Sequence, residues 1–335
     1  MRWNVSPSPH IRAPQDTPSL MRDVLIALAP ACIMGVYHFG YRALMVLLLC
    51  TAATVFTEWA LYRLMGRAAT IGDLSAAVTG ILLGMNLPVS APWWMCVLGS
   101  VFAIALVKVP FGGIGNNFVN PALAARGFLL ASFPVQMTAW TSPVNSFLSS
   151  STDAVSTATP LSQLAHTGVI PGTDATPLQE FFSVAFESKG GCIGEISSLA
   201  LLIGFIYLII RQVVSWRIPL IYIATVFFGI ALLGGGRAGQ AGYYTPFWIA
   251  AFHTVSGGLI LGACFMATDY STSPVTPKGQ LIYALGCGIL TVVIRLYGGY
   301  PEGVSYSILV MNLCVPLIER YVRARVYGEV KRHAA

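Results

Sequence analysis

The chain has 335 residues, 56% of them apolar and only 10% charged, against roughly 25% charged in soluble domains. That composition excludes a water-soluble fold of this length and points to a protein that crosses the membrane many times. The formal net charge of +6 does not indicate nucleic acid, because the basic residues are scattered between apolar runs and form no stripe.

A polar N-terminus with Arg2, Arg12 and Arg22 leads into the first apolar run, which reads as a retained span. The apolar runs predict about ten transmembrane or half-membrane helices, at 23–40, 43–62, 74–87, 92–108, 118–133, 197–211, 218–234, 247–266, 280–296 and 304–320. Ser75–Leu87 has 13 residues and Asn120–Phe133 has 14, both short for a bilayer of about 30 Å at about 1.5 Å per residue. Such short helices are tolerated where their ends are buried among other helices or line a cavity. Paired broken helices near the midplane are also where membrane folds hold ligands.

Placing the N-terminus in the cytoplasm puts 14 of the 19 Lys and Arg inside, including Arg63, Arg67, Lys108, Arg211, Arg217, Lys278 and the basic tail. Arg42, Lys189, Arg237 and Arg295 fall outside, and Arg126 lies within a segment. The long polar connection 134–196 then faces outward, with Asp153, Asp174, Glu180, Glu187 and Glu195 against the single Lys189. It divides the chain into a first membrane repeat (1–133), an outer loop (134–196) and a second repeat with a basic cytoplasmic tail (197–335).

The halves echo each other. Tyr41-Arg42 matches Trp216-Arg217, Val78-Thr79-Gly80 matches Val255-Ser256-Gly257, and Phe111-Gly112-Gly113 matches Tyr297-Gly298-Gly299. With five crossings in each half, equivalent helices run in opposite directions, so the all-α fold is expected to be an inverted repeat.

Seven Cys (Cys32, Cys50, Cys96, Cys192, Cys264, Cys287, Cys314) show no CxxC or metal-site spacing and read as small packing residues. Glu58, inside the second segment, is costly there by at least about 2.5–3.5 kcal/mol. An ion or proton path and a helix-to-helix hydrogen bond from a protonated acid are both open for it. Asp73, Asp269 and Glu302 sit near segment ends, where interfacial solvation accounts for them. His253 reads as a satisfied polar contact.

In the outer loop, Asp153-Ala154-Val155-Ser156-Thr157-Ala158-Thr159-Pro160-Leu161 is by composition a hydroxyl-rich turn. Its pattern resembles the flavinylation motif of the RnfD membrane proteins of Rnf electron-transport complexes and of the related B-subunit of Na+-translocating NADH:quinone reductase. Thr157 stands where that family often has Gly. The resemblance continues through Ser8-Pro9-His10, Pro92-Trp93-Trp94-Met95, Asn120-Pro121-Ala122, Ser132–Thr138, Gly298–Val304 and the tail to Gly328. It covers nearly the whole chain, and the chain length favours the Rnf type.

The resemblance implies a urea-transporter-like fold in a bacterial cytoplasmic (inner) membrane and FMN joined through its phosphate to Thr159. Asp153 and Ser156 belong to the same motif, and the small Ser156 and Ala158 leave a modifying enzyme access to the hydroxyl. A noncovalent riboflavin is also implied. Gly112-Gly113-x-Gly115-Asn116-Asn117 follows no strand and is no nucleotide fingerprint, but its backbone donors and the amides of Asn116, Asn117 and Asn120 suit the polar edge of a flavin. The implied function is electron transfer, coupled in the complex to Na+ or H+ translocation. The protein would not be catalytic alone, and its partners would be membrane subunits A and E, flavoprotein G, the soluble iron-sulfur and NADH-binding subunits B and C, and membrane lipid. On the residues alone, a passive channel or permease is the rival reading.

Overall fold

Helix starts are written into the sequence as caps. The Asp16 side chain accepts from Ser19 N at 3.1 Å, Asn120 Oδ1 accepts from Ala122 N and Leu123 N at 3.1 and 3.2 Å, Ser197 Oγ accepts from Ala200 N at 3.2 Å and Thr276 Oγ1 from Gly279 N at 3.1 Å. Pro121 and Pro277 open their helices at the first position, where a missing N–H costs nothing.

The computed structural model describes residues 16–67, 71–141, 159–167, 190–234, 246–298 and 302–323. Ser8-Pro9-His10 and the tail beyond residue 323, both used above, lie outside them. Over the described residues the chain is helical without strands. The main helices are α1 (Thr17–Phe39), α2 (Tyr41–Leu64), α3 (Ser75–Met85), α4 (Trp93–Phe102), α5 (Pro121–Ser132), α6 (Ser198–Ile210), α7 (Arg217–Leu233), α8 (Pro246–Val255), α9 (Pro277–Tyr297) and α10 (Val304–Tyr321). Shorter turns of helix lie at Ile71–Asp73, Pro134–Met137, Pro160–Thr167 and Ile193–Glu195. Among the described residues α1, α2 and α9 are each long and apolar enough to cross a membrane, and α8 with its continuation Leu259–Met266 makes a fourth if that bent pair is one span. The remaining apolar helices are shorter.

The run predicted as one helix over 247–266 is broken, with its two parts bent by 63°. The cause is local: Gly257 and Gly258 have φ of 73° and 67°, in the left-handed region where any other residue is strained. Two helices end in wide π turns, α4 through Ala103–Lys108 and the α8 continuation through Gly262–Met266. Such turns are rare and favour functional sites.

Packing depends on small residues. A Cβ at Gly80 would lie 2.6 Å from Thr51 Cα, and one at Gly84 3.1 Å from Leu47 Cδ2, so the Gly-x-x-x-Gly face of α3 lets its backbone rest on α2. Val78-Thr79-Gly80 and Val255-Ser256-Gly257, matched in sequence, are thus used differently: the first lies in an unbroken helix and the second at the α8 break. Further along, α2 packs on α3 and α4, α7 packs on α8 and α9, α1 pairs with α6, and α5 meets α10. The α1–α6 seam carries buried Asp23, which accepts from Tyr207 Oη at 3.1 Å and from Arg211 Nε at 3.2 Å.

Candidate functional site

Three of the buried polar groups among the described residues bear on the site, and the first is a cleft at Thr159. Thr159 precedes the helix Pro160–Thr167. Its carbonyl accepts from Gln163 N at 2.9 Å and Ser162 Oγ at 3.0 Å, and its Oγ1 accepts from Ser162 N at 3.2 Å. The hydroxyl oxygen is therefore held at the electropositive start of a helix. Leu161 anchors this helix by packing on Phe252 of α8. Thr159 is 5% exposed and shares its cleft with Leu161, Gly190, Gly191, Glu195, Ser256 and Gly257. Buried Ser256 Oγ has no hydrogen-bond partner among the described residues. Asp153 and Ser156, named with Thr159 from the motif, lie outside the described residues.

The floor of this cleft is made by the broken helix. The last carbonyls of α8 lack helical partners, and Arg295 of α9 supplies them: its Nη1 donates to the His253 carbonyl, and its Nη2 donates to Ser256 O at 3.1 Å and Gly257 O at 3.2 Å. Buried His253 itself has an unpartnered Nδ1 among the described residues, so the satisfied contact expected from sequence is not found at that nitrogen.

Behind the cleft lies the second group, where the halves meet. Arg126 of α5 is buried. Its Nη1 donates to Asn86 Oδ1 at 3.2 Å and Ser305 Oγ at 2.6 Å, and its Nη2 donates to Cys192 Sγ at 3.5 Å and pairs with Glu302. Cys192 Sγ donates in turn to the Asn86 carbonyl at 3.2 Å. Cys192 Sγ and one oxygen from each of Glu195 and Glu302 lie within 4.8 Å of one another. The guanidinium is the cation of this cluster, balancing Glu302 from within hydrogen-bond range. Glu302 is thus a paired group, not the interfacial, solvated one expected from sequence.

The third group lines a cavity at the opposite end of α6. Leu208, near the end of α6, is 13 positions after Glu195, just before it, about 20 Å at about 1.5 Å per residue. The cavity's polar lining includes Ser75, Thr79, Lys108, Asn117, Asn120 and Asp269. Asn117 Oδ1 is buried and without a partner among the described residues. Asn116 is exposed and does not line the cavity, so the three amides named from sequence do not act as one set. Glu58 of α2 meets Lys108, whose Nζ lies 2.7 Å from Glu58 Oε2 and donates to Ser75 Oγ at 2.5 Å. Ser75 Oγ donates to Asp73 Oδ1 at 2.6 Å. Lys108, counted above as a cytoplasmic flank, is 2% exposed: the ion pair places it inside.

Sequence reasoning missed the Arg126 cluster. The available signal was an arginine in the middle of a short apolar helix, which requires an anionic partner nearby. What it could not supply was which of the remote carboxylates provides it.

The fold and these groups define a multi-pass helical membrane protein with broken helices and buried ionic pairs. Its family follows from comparison: the model for the NQR2, RnfD, RnfE family matches residues 4–328, and the chain belongs to that family. It is 51% identical to the D-subunit of the Na(+)-translocating ferredoxin:NAD(+) oxidoreductase complex of Acetobacterium woodii, across 99% of this chain and 97% of the relative. It is 40% identical to the D-subunit of the proton-translocating ferredoxin:NAD(+) oxidoreductase complex of Clostridium ljungdahlii, across 97% and 96%. Identity is also 40% to the D-subunit of the ion-translocating oxidoreductase complex of Halorhodospira halophila, across 96% and 95%.

Proposed function

We propose that the chain is the flavin-carrying membrane subunit of an Rnf-type complex, holding FMN by a phosphoester to Thr159 Oγ1 and passing electrons between the other subunits. The observation that carries this is the Thr159 cleft. An aliphatic hydroxyl at a helix start, glycine backbone on two sides and an unpartnered buried serine hydroxyl at Ser256 suit a phosphate and the polar edge of an attached group. Bound FMN supplies one-electron chemistry. The chain's own residues hold the phosphate end at Thr159 and offer Ser256 Oγ as a hydrogen-bond partner, while Leu161 and Phe252 keep water from the helix start.

The partners in this reading are membrane subunits A and E, flavoprotein G and the soluble subunits B and C. The relatives named for sodium and for protons leave the coupling ion open between Na+ and H+. A second, noncovalent riboflavin is proposed for the Lys108 cavity, where Asn117 Oδ1 would accept from an imide N–H and Asn120 would flank it. Buried Glu58, Lys108 and Ser75 form a polar row along that cavity, ending on half-buried Asp73, and Glu58 is proposed as part of the ion path. The two halves, 1–133 and 197–335, are proposed as inverted five-helix repeats; support comes from the matched packing of α2 on α3 and α4 with that of α7 on α8 and α9. Both termini are proposed to face the cytoplasm and Thr159 the outer side of the inner membrane. The rival channel or permease needs an open path between the halves, and there Arg126 is tied to Asn86, Ser305 and Glu302.

The test is direct. Denatured wild-type protein is expected to fluoresce yellow-green on a gel and to exceed its apoprotein mass by one FMN less water. Thr159→Val is expected to reach the membrane colourless, and fluorescence surviving in that variant overturns the assignment.

A further inference from the structure

We infer that Glu195 is the charge-compensating group of the Thr159 cleft, its ionised form taking up a proton when an electron arrives there and releasing it when the electron leaves. The inference rests on the proposed flavin at Thr159 and adds to it a named proton site. Glu195 lines the same cleft as Thr159 and Ser256. Its carboxylate is held on both sides by chain that has no side chains: a Cβ on Gly258 would lie 2.7 Å from Oε1, and one on Gly191 would lie 3.0 Å from Oε2. Substitution at either glycine would displace the carboxylate, so the backbone there is shaped around it. Ser256 Oγ, 4% exposed and unpartnered among the described residues, is the independent sign that the cleft is built to hold a group the protein does not itself supply.

The charges around Glu195 leave it responsive. Glu302 approaches from the start of α10, Cys192 from its own turn, Arg126 from α5 and Arg295 from α9. Arg126 pairs with Glu302 and Arg295 donates to the carbonyls at the α8 break, so both guanidinium groups act on Glu195 without an ion pair to it among the described residues. Burial, and then the Glu302 charge, push its carboxyl up to about 7. A group half-protonated near neutral pH changes state when one further negative charge comes close. The balance is simple. An electron from a one-electron carrier of the complex would add one negative charge to the group held at Thr159, and an ionised Glu195 oxygen would take one proton from outer-side water. Where Glu195 was ionised the net charge of the cleft is unchanged, where it already held the proton none moves, and a proton taken up leaves with the electron when the next carrier is reduced.

The experiment uses the whole complex with bound flavin, measuring the Thr159-flavin midpoint potential by spectroelectrochemistry across a pH series. Because reduction draws in a proton, the potential is expected to fall as pH rises through about 7, with up to about 59 mV per tenfold change in proton activity for one electron. In Glu195→Gln that part of the slope is expected to vanish at unchanged flavin content. A second readout needs no flavin. In the colourless Thr159→Val protein, the infrared band of a protonated carboxyl is expected to disappear as pH rises through about 7, and Glu195→Gln added to that background is expected to remove the band. A wild-type slope retained in the fluorescent Glu195→Gln complex overturns the inference and leaves Thr159 standing. So does an infrared band that Glu195→Gln does not alter, which decides the matter if the Gln complex fails to assemble. Wild-type protein without gel fluorescence overturns both readings together.

Discussion

At the scale of single residues, buried Arg126, Glu58 and Lys108 come with partners, and that makes their removal costly in a predictable way. Arg126→Leu strands Glu302 beside Asn86 and Cys192, and breaking a buried pair from one side costs about 3–5 kcal/mol. A large drop in melting temperature in detergent is expected, partly restored by Arg126→Leu with Glu302→Leu. Glu58 is read in the same way. With Lys108 Nζ at 2.7 Å, Glu58→Leu is expected to destabilise the protein by a similar amount and Lys108→Met to recover much of it. A folded, flavin-loaded double variant that has lost ion pumping is the outcome expected if Glu58 serves the ion path, and normal pumping would place that path elsewhere. Glu195 gives a pH prediction. Its carboxyl is raised from its ordinary 4.5 to about 7, so the native state binds a proton that the unfolded chain has lost, and stability falls as pH rises through that window. Melting temperature against pH is expected to be flatter there in Glu195→Gln.

Elements were the most legible level. Apolar runs located the helices because a helix facing lipid must be apolar along its length, and α3, α5 and α10 begin within a few residues of their expected positions. The break in α8 was not legible: Ser256-Gly257-Gly258 sits in an apolar run, and glycine is common inside membrane helices, so composition does not distinguish a packing glycine such as Gly80 from a hinge such as Gly257. The difference lies in what approaches each one, Thr51 on α2 for Gly80 but Arg295 and Leu161 for Gly257. Gly258→Ala tests this. Left-handed backbone costs an L-residue roughly 1–2 kcal/mol, and the new methyl would press on Glu195 Oε1. Lower stability together with a displaced flavin absorption band is expected, whereas Gly72→Ala, with open space around it, is expected to alter neither.

For the whole molecule, topology is the prediction with most consequence. A thiol introduced at position 150, in a background without exposed cysteines, is expected to react with a membrane-impermeant reagent on intact cells. Labelling only after permeabilisation would reverse the orientation and place the Thr159 cleft on the cytoplasmic side. Three short matches in order, from which the repeat is proposed, were legible in the sequence. The polar contacts between the halves were not, because Arg126 reaches Glu302 across 176 positions of sequence and no local pattern records so distant a pairing.

The seating of Thr159 has a consequence for the protein's lifetime. A side chain 5% exposed, whose hydroxyl oxygen is engaged by the next helix, is out of reach of a transferase once Leu161 has locked against Phe252. Under the proposed function, attachment therefore belongs to maturation, before that helix docks, and a protein that later loses its cofactor to light or hydrolysis is not recharged in place. Cells would renew the flavin by making new polypeptide, so the pool of working complexes would track the age of the protein instead of the supply of FMN.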